Sequence, residues 1–167
     1  IRPRDWSSDV CSSDLLVRAY LYLALHGRDG LPRVSEMAVL NANYLAARIR
    51  DAFPLAYPEG RPMHEFVATG KPLKDETGVR AMDVAKRIID FGYHPSTVYF
   101  PLVVEEALMV EPTETESKET LDAFAEVLVR IAEEARSDPA PLREAPITTP
   151  VRRLDETRAA RQLKLRW

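Results

Sequence analysis

The sequence predicts an α+β domain in which a small sheet is covered by helices on one face. Two observations predict it. Apolar residues recur with a helical period in three separated stretches, and short apolar runs bounded by glycine or proline lie between them. With 46% apolar residues, a chain of 167 can bury the core of one ordinary domain.

Leu16–His26 reads as a mostly buried helix ending at Gly27, with Gly30 and Pro32 marking the break. Val34, Met37, Leu40, Tyr44, Leu45, Ile49 and Phe53 then sustain a helical period, and Phe53-Pro54 stops it. His64–Ala68 is a strand bounded by Gly70 and Pro72. Val79, Met82, Ala85 and Ile89 give another amphipathic helix, with Gly92 as the residue just past its C-cap. Thr97–Leu102 and Ala107–Val110 read as two more strands. Thr113-Glu-Thr-Glu116 offers a capping box for a last helix carrying Leu121, Phe124, Leu128, Ile131 and Ala135 on one face, ended by Asp138-Pro-Ala-Pro141.

The two ends differ in character. Asp5–Leu15 reads DWSSDVCSSDL, the translation of one frame of a common sequencing-adapter oligonucleotide. Ile1–Leu15 is therefore read as adapter-derived, without helical or strand periodicity, and the authentic chain as starting mid-protein at Leu16. That leaves Cys11 outside it, so no disulfide framework or thiol chemistry is expected. The tail from Arg143 to Trp167 holds seven basic residues (Arg143, Arg152, Arg153, Arg158, Arg161, Lys164, Arg166) against Glu144, Asp155 and Glu156, with no core pattern. Such a tail must pack on something or stay disordered, and a subunit interface is the expected place. A net charge of −3 with mixed signs gives no reason to expect nucleic acid or an anionic membrane as partner. The longest apolar run is far short of the roughly 20 residues of a membrane span. A soluble, cytoplasmic protein is the default.

Few residues invite chemistry. His26, His64 and His94 lie in three segments without metal-ligand spacing, and each fits a structural role. His64 and Glu65 open a strand, so their side chains are expected on opposite faces and not as a pair. Glu111-Pro-Thr-Glu114 follows a strand, where site residues are often placed, but acidic residues there also suit the N-terminus of the next helix. The glycines are dispersed singly, so no loop cradles a phosphate, and there is no Gly-x-Ser-x-Gly elbow.

Three segments together carry a resemblance. Val39-Leu-Asn-Ala-Asn-Tyr-Leu45, Met63-His-Glu-Phe-Val67 and the run DVAKRIIDFGYHPSTVYFPLVVEEALMVEPTETESKETLDAF from Asp83 to Phe124 resemble the subunit 2 family of glycine decarboxylase. Thr149-Pro-Val-Arg-Arg-Leu-Asp-Glu156 and the ending Leu165-Arg-Trp167 fit the same family. Ile147 stands where the family more often has a histidine.

The resemblance implies a C-terminal piece of a fold-type-I, aminotransferase-like pyridoxal phosphate enzyme. On that reading, residues 16–31 end the large domain, 32–142 form the small α+β domain, and 143–167 are a basic tail packed at a subunit interface. It implies glycine as substrate, glycine decarboxylase subunit 1 and the lipoylated H-protein as partners, and a cytoplasmic heterotetramer. It places the Schiff-base lysine in a His-Lys sequence upstream; none of Lys71, Lys74, Lys86, Lys118 and Lys164 follows a histidine. No catalytic or cofactor-binding residue is therefore expected here. His64, Glu65, Glu111, Thr113 and Glu114, at predicted strand ends, are the candidates for contact with substrate or partner. Two other readings are a non-catalytic interaction module and the small domain of another fold-type-I enzyme. Leu16–Leu25 and one face of the next helix are expected to leave an apolar patch.

Overall fold

The computed structural model describes residues 10–163. Its elements are α1 (Val10–Ile49), β1 (Phe66–Thr69), α2 (Lys71–Thr77), α3 (Ala81–Asp90), β2 (Thr97–Val98), β3 (Ala107–Val110), α4 (Lys118–Ser137), α5 (Ala140–Glu144) and α6 (Glu156–Arg161). The predicted α+β architecture is present. Residues 1–9 of the adapter-like run, Lys164 and the ending Leu165–Trp167 lie outside the described residues.

The sheet is antiparallel, in the order β1-β3-β2. β1 pairs with β3 through Phe66↔Val110 and Ala68↔Leu108, and all four side chains are buried on the shared face. They join one core with Leu45, Ile49 and Phe53 from the end of α1, Val84 and Ile88 from α3, and Leu121, Leu128 and Ile131 from α4. The helical period predicts this: each stripe faces the same side of the sheet, where burial removes it from water.

Several boundaries move, for identifiable reasons. The two predicted N-terminal helices run on as α1, broken at Gly27 (φ 62°, ψ −170°), a conformation that glycine tolerates. Pro32 sits inside the second segment, and the helix includes Val10–Leu15, where no helical pattern was read. β2 ends at Val98 and does not reach Leu102, because Tyr99 turns into the left-handed region (φ 59°). α4 starts after Ser117 and not at Thr113: the Ser117 hydroxyl accepts from the Thr120 N–H, while the Thr113 hydroxyl is bonded to that of Thr115. α2, α5 and α6 are not anticipated by the sequence reading. Gly92 does take the predicted position past α3, with φ 82° and its N–H on the Ile89 carbonyl.

The first half of the basic tail docks on its own domain. Asp90 Oδ1, at the end of α3, accepts from the Ile147 N–H, the Thr148 N–H and the Thr148 hydroxyl at 2.7–2.9 Å. Arg153 reaches back to Asp83 (2.6 Å) and donates to the carbonyls of Leu142 and Ala145. Beyond it, α6 buries no residue.

Burial alone would raise the Asp90 carboxyl, but the bonds from Thr148, Ile147 and Arg87 outweigh it and hold it below the ordinary value. A depressed carboxyl contributes stability in full above the unfolded-state pKa of about 4 and loses it as pH falls through the folded value. The stability gap between wild type and Asp90→Asn, from urea midpoints, should therefore be constant near neutrality and narrow below about pH 4. A gap unchanged down to pH 3 would show that the carboxylate charge is not what holds Ile147 and Thr148 in place.

Candidate functional site

The start of β1, the end of β3 and the approach to β2 meet at one end of the sheet. There the chain leaving β3 (Glu111, Pro112), the loop before β2 (Tyr93–Ser96) and the first turn of α4 enclose a cleft of about 290 Å³. Leu45, Tyr93, Val110, Leu121 and Phe124 make its walls apolar, and Tyr93 and Phe124 sit ring to ring at 5.3 Å. Glu111, Glu116, His94, Ser96 and Thr120 supply its polar groups.

Two asparagines of α1 set the loops around this cleft. Asn41, 5% exposed, donates from Nδ2 to the carbonyls of Thr113 (2.8 Å) and Glu116 (3.2 Å). Asn43 donates to the Pro62 carbonyl at 2.7 Å. A buried amide must find acceptors, so Asn41 fixes the turn between β3 and α4.

The sequence candidates divide here. Glu111 lines the cleft, and His64 Nε2 lies 4.0 Å from Glu111 Oε1, beyond hydrogen-bond reach. The expectation that His64 and Glu65 open a strand is not met, since β1 starts at Phe66; Glu65 lines a separate groove with Leu55, Tyr57 and Arg61. Thr113 serves the turn through its carbonyl, and Glu114 is not among the residues lining the cleft. His94, Glu116 and Asn41 are residues the sequence reading missed as site groups. Only Asn41 left a signal: it stands four residues before Leu45 on the buried stripe of α1, where a polar residue needs a partner.

The opposite end of the sheet is more highly charged. Glu106, with φ 51° and a side chain 2% exposed, accepts from the Ala81 N–H at 2.7 Å and faces Lys74 (3.1 Å) and Arg80 (3.5 Å). Burial pushes its carboxyl up, but the Ala81 N–H, Lys74 and Arg80 bring it below the usual carboxylate value.

The chemistry these groups can perform is limited. A Schiff-base lysine needs a depressed pKa, set by desolvation or a neighbouring cation. Lys71 is instead raised by Asp75 and Glu105, Lys74 by Glu105 and Glu106, and Lys118 by Asp122 and Tyr44. These three do not suit the aldimine role. Among the described residues there is no group of three His, Cys, Asp or Glu able to hold a metal, and no helix long and apolar enough to cross a membrane. Ser96 and Thr120 line the cleft, and the Thr120 hydroxyl is bonded to that of Ser117.

Fold and site together define a small α+β domain, a three-stranded antiparallel sheet with a polar-rimmed apolar cleft at one end. The chain belongs to the family described as glycine dehydrogenase, C-terminal domain, whose model matches residues 34–145. It is 59% identical over 152 residues to a probable glycine dehydrogenase (decarboxylating) subunit 2 of Chlorobaculum tepidum, covering 90% of this chain and 31% of that protein. Similar proteins of the same name occur in Thiobacillus denitrificans (54%, covering 96% of this chain and 34% of that protein) and Thermotoga maritima (58%, covering 92% and 32%). The chain thus spans about a third of the length of these relatives.

Proposed function

We propose that this chain is the C-terminal domain of subunit 2 of a glycine dehydrogenase (decarboxylating) of the glycine cleavage system, without activity of its own. The family match over residues 34–145 carries the reading. The whole enzyme, on this reading, is a cytoplasmic fold-type-I pyridoxal phosphate enzyme that decarboxylates glycine and passes the aminomethyl group to the lipoyl arm of the H-protein, together with subunit 1. When bound, the cofactor supplies an electron sink.

The resemblance puts the Schiff-base lysine after a histidine, and no lysine of this chain follows one, so the reading assigns the cofactor pocket to the other two thirds of the subunit. This chain's part is to bind and to cover: residues 32–142 form the small domain, residues 16–31 end the large one, and residues 143–167 reach a subunit interface. α6, which buries nothing within this domain, supports the last assignment. His64 and Glu111 stand at the mouth of the site; Glu65, Thr113 and Glu114 stand beside it and are open to partner contact.

Mixed with pyridoxal phosphate and carboxyl-labelled glycine, the free chain is expected to form no lysine aldimine and to release no labelled carbon dioxide. A chimera carrying residues 16–167 in place of the matching third of the Chlorobaculum tepidum subunit, paired with subunit 1 and supplied with H-protein whose lipoyl arm is in the oxidised disulfide form to accept the aminomethyl group, should release it. Turnover by the free chain, or a folded chimera without turnover, would overturn the reading.

A further inference from the structure

Resting on that reading, we propose that α6 and the residues after it are a recognition arm that becomes helical on binding and docks in an acidic, apolar-lined groove of subunit 1. The arm meets carboxylates through Arg158 and Arg161 and apolar surface through Leu154 and Leu163.

The first observation is length. α6 has six residues and buries none of them, and the hydrogen bonds that hold it among the described residues lie within it. A helix of that size is not self-supporting in water, because its nucleation is costly and few bonds follow to offset it. Its sequence nevertheless specifies a helix. Asp155 caps it by accepting from the Arg158 N–H, Glu156 lies in the first turn, and Arg158 and Arg161 lie in the last. A helix that is encoded but unsupported is one that a partner completes.

The second observation is charge. Seven basic and three acidic residues make 143–167 positive, while the chain as a whole is negative. From Thr157 onward every charged side chain is basic: Arg158, Arg161, Lys164 and Arg166. Arg153 is engaged with Asp83 and two carbonyls, but Arg152, Arg158 and Arg161 form no ion pair among the described residues. Arg158 and Arg161, three residues apart, share a face of α6. Leu154 and Leu163, 66% and 71% exposed, stand at its two ends. Guanidinium groups between apolar anchors fit a groove of carboxylates and apolar side chains.

Placement selects the partner. The tail segment before α6 is held on α3, by Asp83 in its first turn and by Asp90 at its end. α3 packs on α4, α5 and β2, whereas α1, which leads to the rest of the subunit, packs on α4 and β1. The arm therefore leaves from a side that α1 does not share, toward another chain. An arm this short cannot offset its own ordering against a carrier that arrives afresh in each turnover. It can against a subunit already held nearby, where its effective concentration is high.

The test uses the chimera with and without subunit 1, with hydrogen exchange over residues 156–163 read by mass spectrometry. In the chimera alone those amides should exchange within about tenfold of an unstructured peptide, and in the complex at least about a hundredfold more slowly. Arg158→Ala with Arg161→Ala should weaken association with subunit 1 at least about tenfold. Raising salt from about 0.05 M to about 0.5 M should weaken the wild-type complex more than that of the double variant. Both side chains are exposed, so the urea midpoint of the free chain should not move, which separates undocking from misfolding. Protection already present without subunit 1 would assign the arm to its own subunit, and protection that needs H-protein would assign it to the carrier; either overturns the proposal. Association indifferent to the double variant overturns it as well. All three outcomes leave the family reading standing if the complex, supplied with oxidised H-protein, releases labelled carbon dioxide. A folded complex that does not release it overturns the family reading instead.

Discussion

Phe53→Ala is expected to cost about 3–5 kcal/mol, a large share of the roughly 5–15 kcal/mol that holds a domain of this size together. Phe53 is the bulkiest fully buried side chain, and its N–H closes the last turn after α1 on the Ile49 carbonyl. From there Pro54–Ala56 runs alongside β1, with the Thr69 N–H on the Pro54 carbonyl and the Ala56 N–H on that of Val67. Truncation leaves a cavity where helix, crossing segment and sheet meet, so the surrounding chain has little room to close over it. Chemical denaturation read by circular dichroism measures the loss. A shift of less than about 1 kcal/mol would show that the junction can collapse onto the gap.

Glu106→Ala is expected to cost about 2–3 kcal/mol, and Glu106→Gly measurably less. Losing one partner of a fully buried ion pair costs about 3–5 kcal/mol. Here Arg80, 61% exposed, and Lys74, 33% exposed, can turn back to water, which lowers the figure. What cannot recover is the Ala81 N–H at the start of α3, left without its carboxylate. The order of the two variants isolates the backbone: φ of 51° costs about 1 kcal/mol in any residue with a Cβ, and glycine avoids it. Urea midpoints for wild type, Ala and Gly would decide. Glycine as damaging as alanine would mean that the left-handed turn is not strained.

Much of the fold was legible. The apolar stripes of α3 and α4 follow from the helical period, since residues three and four apart share a face, and the limits of β3 follow from a short continuous apolar run. α2 was not legible, because Lys71–Thr77 holds one buried residue, Leu73, and so no period. It is set by Pro72 in its first turn and Gly78 at φ 76° beyond its end. The candidate site was half legible. Glu111 sits at a strand end, as a site residue should, but its company of His94 and Glu116 is assembled from loops that no spacing rule connects.

The sequence by itself determined the family, the helical stripes and the absence of any lysine that follows a histidine, because these are properties of residues in order. Only the tertiary structure decided that Glu111 shares a cleft with His94 and Glu116, and that Asn41 holds the turn after β3. It also showed Leu16, Tyr20, Leu21 and Leu25 of α1, read as a mostly buried stretch, to be exposed. The physical reason is range. A period or cap is fixed by neighbours within one turn, whereas a cleft and its charge depend on which distant segments the core brings to the same end of the sheet.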